Sequence, residues 1–69
     1  MKLHKIYNSI VPSMQNTPCL IAVFTDDNGA FKVYQKMLWK SGECDTWGRN
    51  VCFESVADVE RCVAHNNRQ

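Results

Sequence analysis

The chain has no long apolar run, and that excludes a membrane-spanning helix. Its longest, Cys19 to Phe24, falls far short of the roughly 20 residues a bilayer requires. The opening residues, Met1-Lys2-Leu3-His4-Lys5, lack the apolar stretch and small-residue cleavage site of a secretory signal, so the expected location is the cytoplasm. An excess of one charge is also missing. Eight Lys and Arg stand against seven Asp and Glu, a net charge of +1. Domains that bind DNA or RNA neutralise several phosphates and are usually strongly basic, so this balance argues against a nucleic-acid partner. The three glycines stand apart in turn positions, which leaves no phosphate-cradling loop.

Close cysteine pairs are absent too. Cys19, Cys44, Cys52 and Cys62 are widely separated, whereas structural zinc sites usually contain pairs about two to four residues apart. If a metal were held, Cys44, Cys52, Cys62 and His65 would be its ligands, with Cys62 and His65 sharing one helix face. The spacing favours packed thiols, with neither metal nor cofactor, and a reducing compartment keeps such thiols free. Nucleophilic catalysis at a cysteine needs a neighbouring histidine oriented by a third group. Only His4 and His65 are available, no local signature surrounds any cysteine, and so small a chain offers little concave space. The expectation is a protein without enzymatic activity.

What the sequence does contain is a small folded domain. Hydrophobic residues make up 45% of the 69 and charged residues 22%, which suits a globule rather than a disordered tail. Residues 3–7 are expected as a short strand. Residues 8–18, with Asn8, Ser9, Pro12, Ser13, Asn16 and Pro18, carry enough turn formers to predict a loop. Cys19 to Thr25 is short, apolar and rich in β-branched residues, the pattern of a central strand. Asp26-Asp27-Asn28-Gly29 then supplies a hairpin turn, so residues 19–40 are predicted as a hairpin.

Its second strand alternates. Phe31, Val33, Met37 and Trp39 share one side, with Gln35 the exception, and Lys32, Tyr34, Lys36, Leu38 and Lys40 share the other. Such alternation belongs to a half-buried antiparallel strand. Ser41-Gly42-Glu43 reads as another turn. A further strand is expected at about residues 50–53, where Trp47, Val51 and Phe53 share parity. Ser55 with Asp58 forms a helix-capping pair. Val56, Val59 and Val63, with Cys62 beside them, repeat at helical spacing, so a helix is predicted at about residues 56–65. The fold class is α+β: a three- to four-stranded antiparallel sheet with one C-terminal helix packed on one face.

A helix on one side leaves the other side of the sheet bare. Lys32, Tyr34, Lys36, Leu38 and Lys40 are therefore the leading binding residues, and Trp47 and Arg49 would extend the surface. Basic residues interleaved with an aromatic can meet an acidic protein surface or stack and neutralise single-stranded nucleic acid. An ordinary solvated face with lysines that discourage edge pairing has the same pattern. The charge balance favours a protein or ribonucleoprotein partner. A zinc-stabilised or nucleic-acid-binding regulator is the alternative, and a homodimer formed by edge strands is a further arrangement.

The order of features also resembles one known family. Met1-Lys2 with Lys5, a polar loop, Ile21-Ala22-Val23-Phe24, the turn Asn28-Gly29, and Phe53-Glu54-Ser55 opening a capped helix together resemble the type I-F anti-CRISPR inhibitors of phages and prophages. The similarity runs through roughly the first sixty-five residues, and each motif is generic for a hairpin or a capped helix. It implies a protein that binds a host CRISPR surveillance complex, partly through aromatic and charged residues of the sheet, and blocks its access to DNA. By position, Phe24 stands, without the hydroxyl, where the family has a sheet tyrosine, and Ile6 or Tyr7 stands where it has another.

Overall fold

The structure, a computed structural model, describes residues 1–39 and 46–67. The elements run β1 (Lys2–Val11), a 3₁₀ turn (Pro12–Met14), β2 (Thr17–Thr25), β3 (Phe31–Met37), β4 (Gly48–Asn50) and α1 (Val56–Asn66). The strands form one antiparallel sheet in the order β1-β2-β3-β4. This is the α+β class that the sequence predicts, with four strands and α1 packed on one face, mainly over β1. The turn expected at residues 41–43, together with Lys40 and Cys44, lies outside the described residues.

Two boundaries differ from the sequence reading. The loop expected over residues 8–18 shrinks to Pro12–Asn16, because β1 continues to Val11 and β2 begins at Thr17. Asn8 and Ser9 are turn formers only when nothing better is offered, and here they pair with Leu20 and Cys19. Pro18 is tolerated inside β2 because it precedes Cys19–Met37, the last regular pair with β3. Its missing N–H therefore falls beyond the main ladder. Its carbonyl still accepts from the Leu38 N–H at 2.9 Å.

The other difference concerns β4, expected at about residues 50–53 and found at Gly48–Asn50. The Asn50 carboxamide oxygen accepts from the Cys52 N–H at 3.0 Å. This Asx turn redirects the chain before the parity of Trp47, Val51 and Phe53 can take effect. Trp47 and Val51 are consequently exposed, and only Phe53 packs against the core.

The hairpin tip is held by one side chain. The Asp26 carboxylate accepts from the Asn28 and Ala30 amides, each at 2.9 Å. Gly29 takes φ +82°, a conformation that costs glycine little. The β1–β2 connection is less relaxed, since Gln15 and Asn16 both have positive φ, 59° and 56°. At the helix start, the Ser55 hydroxyl accepts from the Asp58 amide at 3.2 Å, and the Asp58 carboxylate accepts from the Glu54 amide. That is the predicted capping pair.

The core lies between α1 and one sheet face. Tyr7 from β1, Cys19, Ile21 and Val23 from β2, and Val33 and Met37 from β3 meet Val59 and Val63 of the helix. Phe31, Trp39, Phe53 and Val56 close its rim. Val23, Val33 and Val59 are the most completely enclosed. Gln35, the polar exception on the inner side, is accommodated because its carboxamide oxygen accepts from Asn50 at 3.0 Å.

Candidate functional site

The sheet face opposite α1 is the surface on which the predicted residues converge. Register fixes its membership, since side chains alternate along each strand. Opposite the buried odd-numbered residues of β2 and β3, Phe24 pairs with Lys32, Ala22 with Tyr34, and Leu20 with Lys36. On the β4 side, Arg49 pairs with Tyr34. Leu38 continues the same row and is exposed. On the β1 side, an irregularity between Leu3 and Lys5 resets the alternation, so Leu3 and Ile6 both lie on this face. They are 51% and 44% exposed.

The face has two halves of different chemistry. Over β1 and β2 it is mainly apolar, built from Leu3, Ile6, Ile10, Leu20 and Phe24 with the exposed Asn8 among them. Over β3 and β4 it is cationic and aromatic. The Phe24 and Tyr34 rings meet edge to face, centroids 5.8 Å apart and planes at 88°, the arrangement that ring quadrupoles prefer. The Lys36 ammonium stands 5.9 Å from the Trp47 ring centroid, a cation–π distance that holds Trp47 against this face.

Among the described residues the acids are kept off the open face, whereas the cations are divided, with Lys2, Lys5 and Arg61 on the helix side. Lys32, Lys36 and Arg49 belong to the open face. The acids Asp26 and Asp27 sit at the hairpin tip, and Glu54, Asp58 and Glu60 lie on or beside α1. Among the described residues, the open face therefore carries three cations and no carboxylate. The net charge of +1 conceals this, because a sum over the chain does not register which face each residue occupies.

The structure separates one predicted binding residue from the rest. Tyr7 lies on the helix side, 7% exposed. Its hydroxyl donates to the Glu60 carboxylate at 3.0 Å, and the Lys5 ammonium stands 4.9 Å from its ring centroid. Burial, then the Glu60 hydrogen bond and charge, raise its pKa above the usual tyrosine value. Of the two positions matched to a family tyrosine, Ile6 is the one on the open face and Tyr7 is a structural tie. The sequence missed this because the irregularity beside His4 shifts the side-chain parity of β1.

The cysteines are dispersed. Cys19 is buried, Cys62 half-buried and Cys52 exposed, and all three are free thiols. Burial, with a smaller contribution from nearby Cys62, raises the Cys19 pKa, partly opposed by the Ser9 hydroxyl. Cys62 accepts from the Asn66 carboxamide at 3.4 Å. Among the described residues no cluster of three or more His, Cys, Asp or Glu could hold a metal. A shallow cleft of about 390 Å³ opens beside β4, lined by Gln35, Met37, Gly48, Arg49, Asn50, Val51 and Cys52. That lining offers no histidine or carboxylate for proton transfer. No helix among the described residues is long and apolar enough to cross a membrane. No protein-family profile, curated protein or solved structure matches the chain.

Proposed function

We propose that the chain is a non-enzymatic binding protein that docks its uncovered sheet face on a larger host protein or ribonucleoprotein complex and inhibits it. The observation that carries this reading is a cationic, aromatic face from which the described acids are absent. Three cations, an aromatic pair and an exposed tryptophan share a face that also bears an apolar strip and no acid among the described residues. Aromatics and arginine are the side chains that anchor protein interfaces, and complementary charge steers the encounter. The motif-order resemblance to type I-F anti-CRISPR inhibitors makes a CRISPR surveillance complex, met in the host cytoplasm, the first target to examine.

The test combines purified chain with a type I-F surveillance complex and measures co-migration and loss of target-DNA binding. Stoichiometric association with loss of DNA binding supports the proposal. The quadruple variant Lys32→Glu, Lys36→Glu, Arg49→Glu and Tyr34→Ala should abolish association while the circular dichroism spectrum stays unchanged. Association that survives in this variant removes the face from the proposal, and no association with the unaltered chain removes the target.

The same face supports a second reading, binding of single-stranded nucleic acid. Stacking on Tyr34, Phe24 or Trp47 with phosphates at Lys32, Lys36 and Arg49 follows the logic of sheet-surface binders. Titration of a labelled oligothymidylate at two salt concentrations decides it. Affinity that falls steeply with salt supports this reading, and no saturable binding eliminates it.

A further inference from the structure

We infer that the outer edge of β1 is a pairing surface for a second copy of this chain, with Asn67 as the guard that keeps it closed. The inference rests on the direction of the backbone groups, independently of the open face. Pro18 directs its carbonyl toward β3, where the Leu38 N–H meets it. Backbone groups alternate in direction along an antiparallel strand, so the even-numbered residues of β2 bond to β3 and the odd-numbered ones to β1. The β1 partners of those odd-numbered residues are Lys5, Tyr7, Ser9 and Val11. Ile6, Asn8 and Ile10 therefore aim their N–H and C=O groups off the sheet.

A second observation agrees. The Asn67 carboxamide, one residue past the end of α1, donates to the Asn8 carbonyl at 3.0 Å. A side chain arriving from outside the sheet can reach that oxygen because it points away from β2. Asn67 thus occupies the middle acceptor of the free edge. Tyr7 and Glu60 hold the preceding turns of the helix above β1. Covering an edge in this way is one means by which sheet proteins avoid pairing with their neighbours.

The edge is self-complementary once uncovered. A two-fold axis through Asn8 would pair the whole regular stretch from Lys5 to Val11 with its symmetry mate. All three outward-facing residues would then meet their counterparts, Ile6 with Ile10 of the second copy and Asn8 with Asn8, forming roughly six inter-chain hydrogen bonds. Ile6 and Ile10 would pack across the axis on the open face, and Lys5 would face Val11 rather than another lysine. Moving the axis to Lys5 would set two lysines opposite each other, which is unfavourable.

Sedimentation velocity on the full chain over a range of concentrations provides the test. The unaltered protein should remain at the 7.9 kDa monomer mass. Asn67→Ala, and independently Asn67→Ser, should self-associate to dimers at least about tenfold more tightly than the unaltered chain, the effect of roughly one freed hydrogen-bonding group. Adding Ile6→Pro removes an outward N–H together with the Ile6 side chain that packs across the axis, leaves the bonds to β2 in place, and should return either variant to monomer. Circular dichroism confirms that each variant retains the fold. Folded Asn67 variants that stay monomeric overturn the inference. So do dimers that survive Ile6→Pro, and so does an unaltered chain that already dimerises through this edge.

Discussion

Replacing Tyr7 with phenylalanine removes a single oxygen, and the structure assigns that oxygen a specific task. It donates to Glu60 across a sequence separation of 53 residues, joining the first strand to the only α-helix among the described residues. A hydrogen bond of this kind contributes about 0.5–1.5 kcal/mol net, and the exposure of Glu60 makes about 1 kcal/mol the expected loss. For a 69-residue chain, total stability should be roughly 3–10 kcal/mol. The loss is then large enough to lower the melting temperature by about 4–8 °C.

The effect carries a pH signature. Burial and Glu60 raise the Tyr7 pKa above 10.0 in the folded state, so the unfolded chain releases its phenolic proton first. The stabilisation is whole below pH about 10 and declines as pH rises through the folded-state value. The stability gap between the unaltered chain and Tyr7→Phe should therefore be constant at neutral pH and close at alkaline pH. Cys19 is also raised, but it is present in both proteins and cancels. Urea unfolding from about pH 7 to pH 11 measures the gap directly. Equal stability at neutral pH, or a gap that persists undiminished at the alkaline end, refutes the assigned role.

Two further expectations concern local backbone structure. Gln15 holds φ 59°, a left-handed conformation that costs a side-chain-bearing residue about 1–2 kcal/mol. Gln15→Gly should raise stability by roughly 0.5–1 kcal/mol after glycine's own entropy cost, and a fall in the urea midpoint would contradict the assignment. Ser55→Ala removes the acceptor for the Asp58 amide and should cost about 1 kcal/mol, with the loss visible as reduced helical ellipticity on mild heating. An unchanged helix signal there would show that packing alone sets the start of α1.

Much of this architecture was legible in the residues. The run from Cys19 to Thr25, the alternation from Phe31 onward and the Ser55–Asp58 cap each depend on contacts within a few positions, and local pattern reads such features well. The extension of β1 to Val11 was not legible, because Asn8 and Ser9 take strand geometry from their pairing with Leu20 and Cys19. The brief β4 was misplaced for the opposite reason: a single Asn50 hydrogen bond ends it early.

For the candidate site, the lysine-and-tyrosine row of β3 could be read from period-two spacing alone. The apolar half contributed by β1 depended on an irregularity that no residue type announces. That no acid among the described residues shares the open face with its cations required knowing which strands lie side by side.

The sheet is a meander, so each of its strand pairings joins segments that follow one another along the chain. Closing α1 onto β1 is different, because it must bring the far end of the molecule back to its beginning. The entropic cost of that ring closure falls on a single step. Assembly should accordingly run from β-meander to docked helix, with helix docking the slow event. Until then Val23 and Val33 have no lid. A fragment ending before Val56 would be left at that stage permanently, with a strip of core facing water and prone to adhere to other chains.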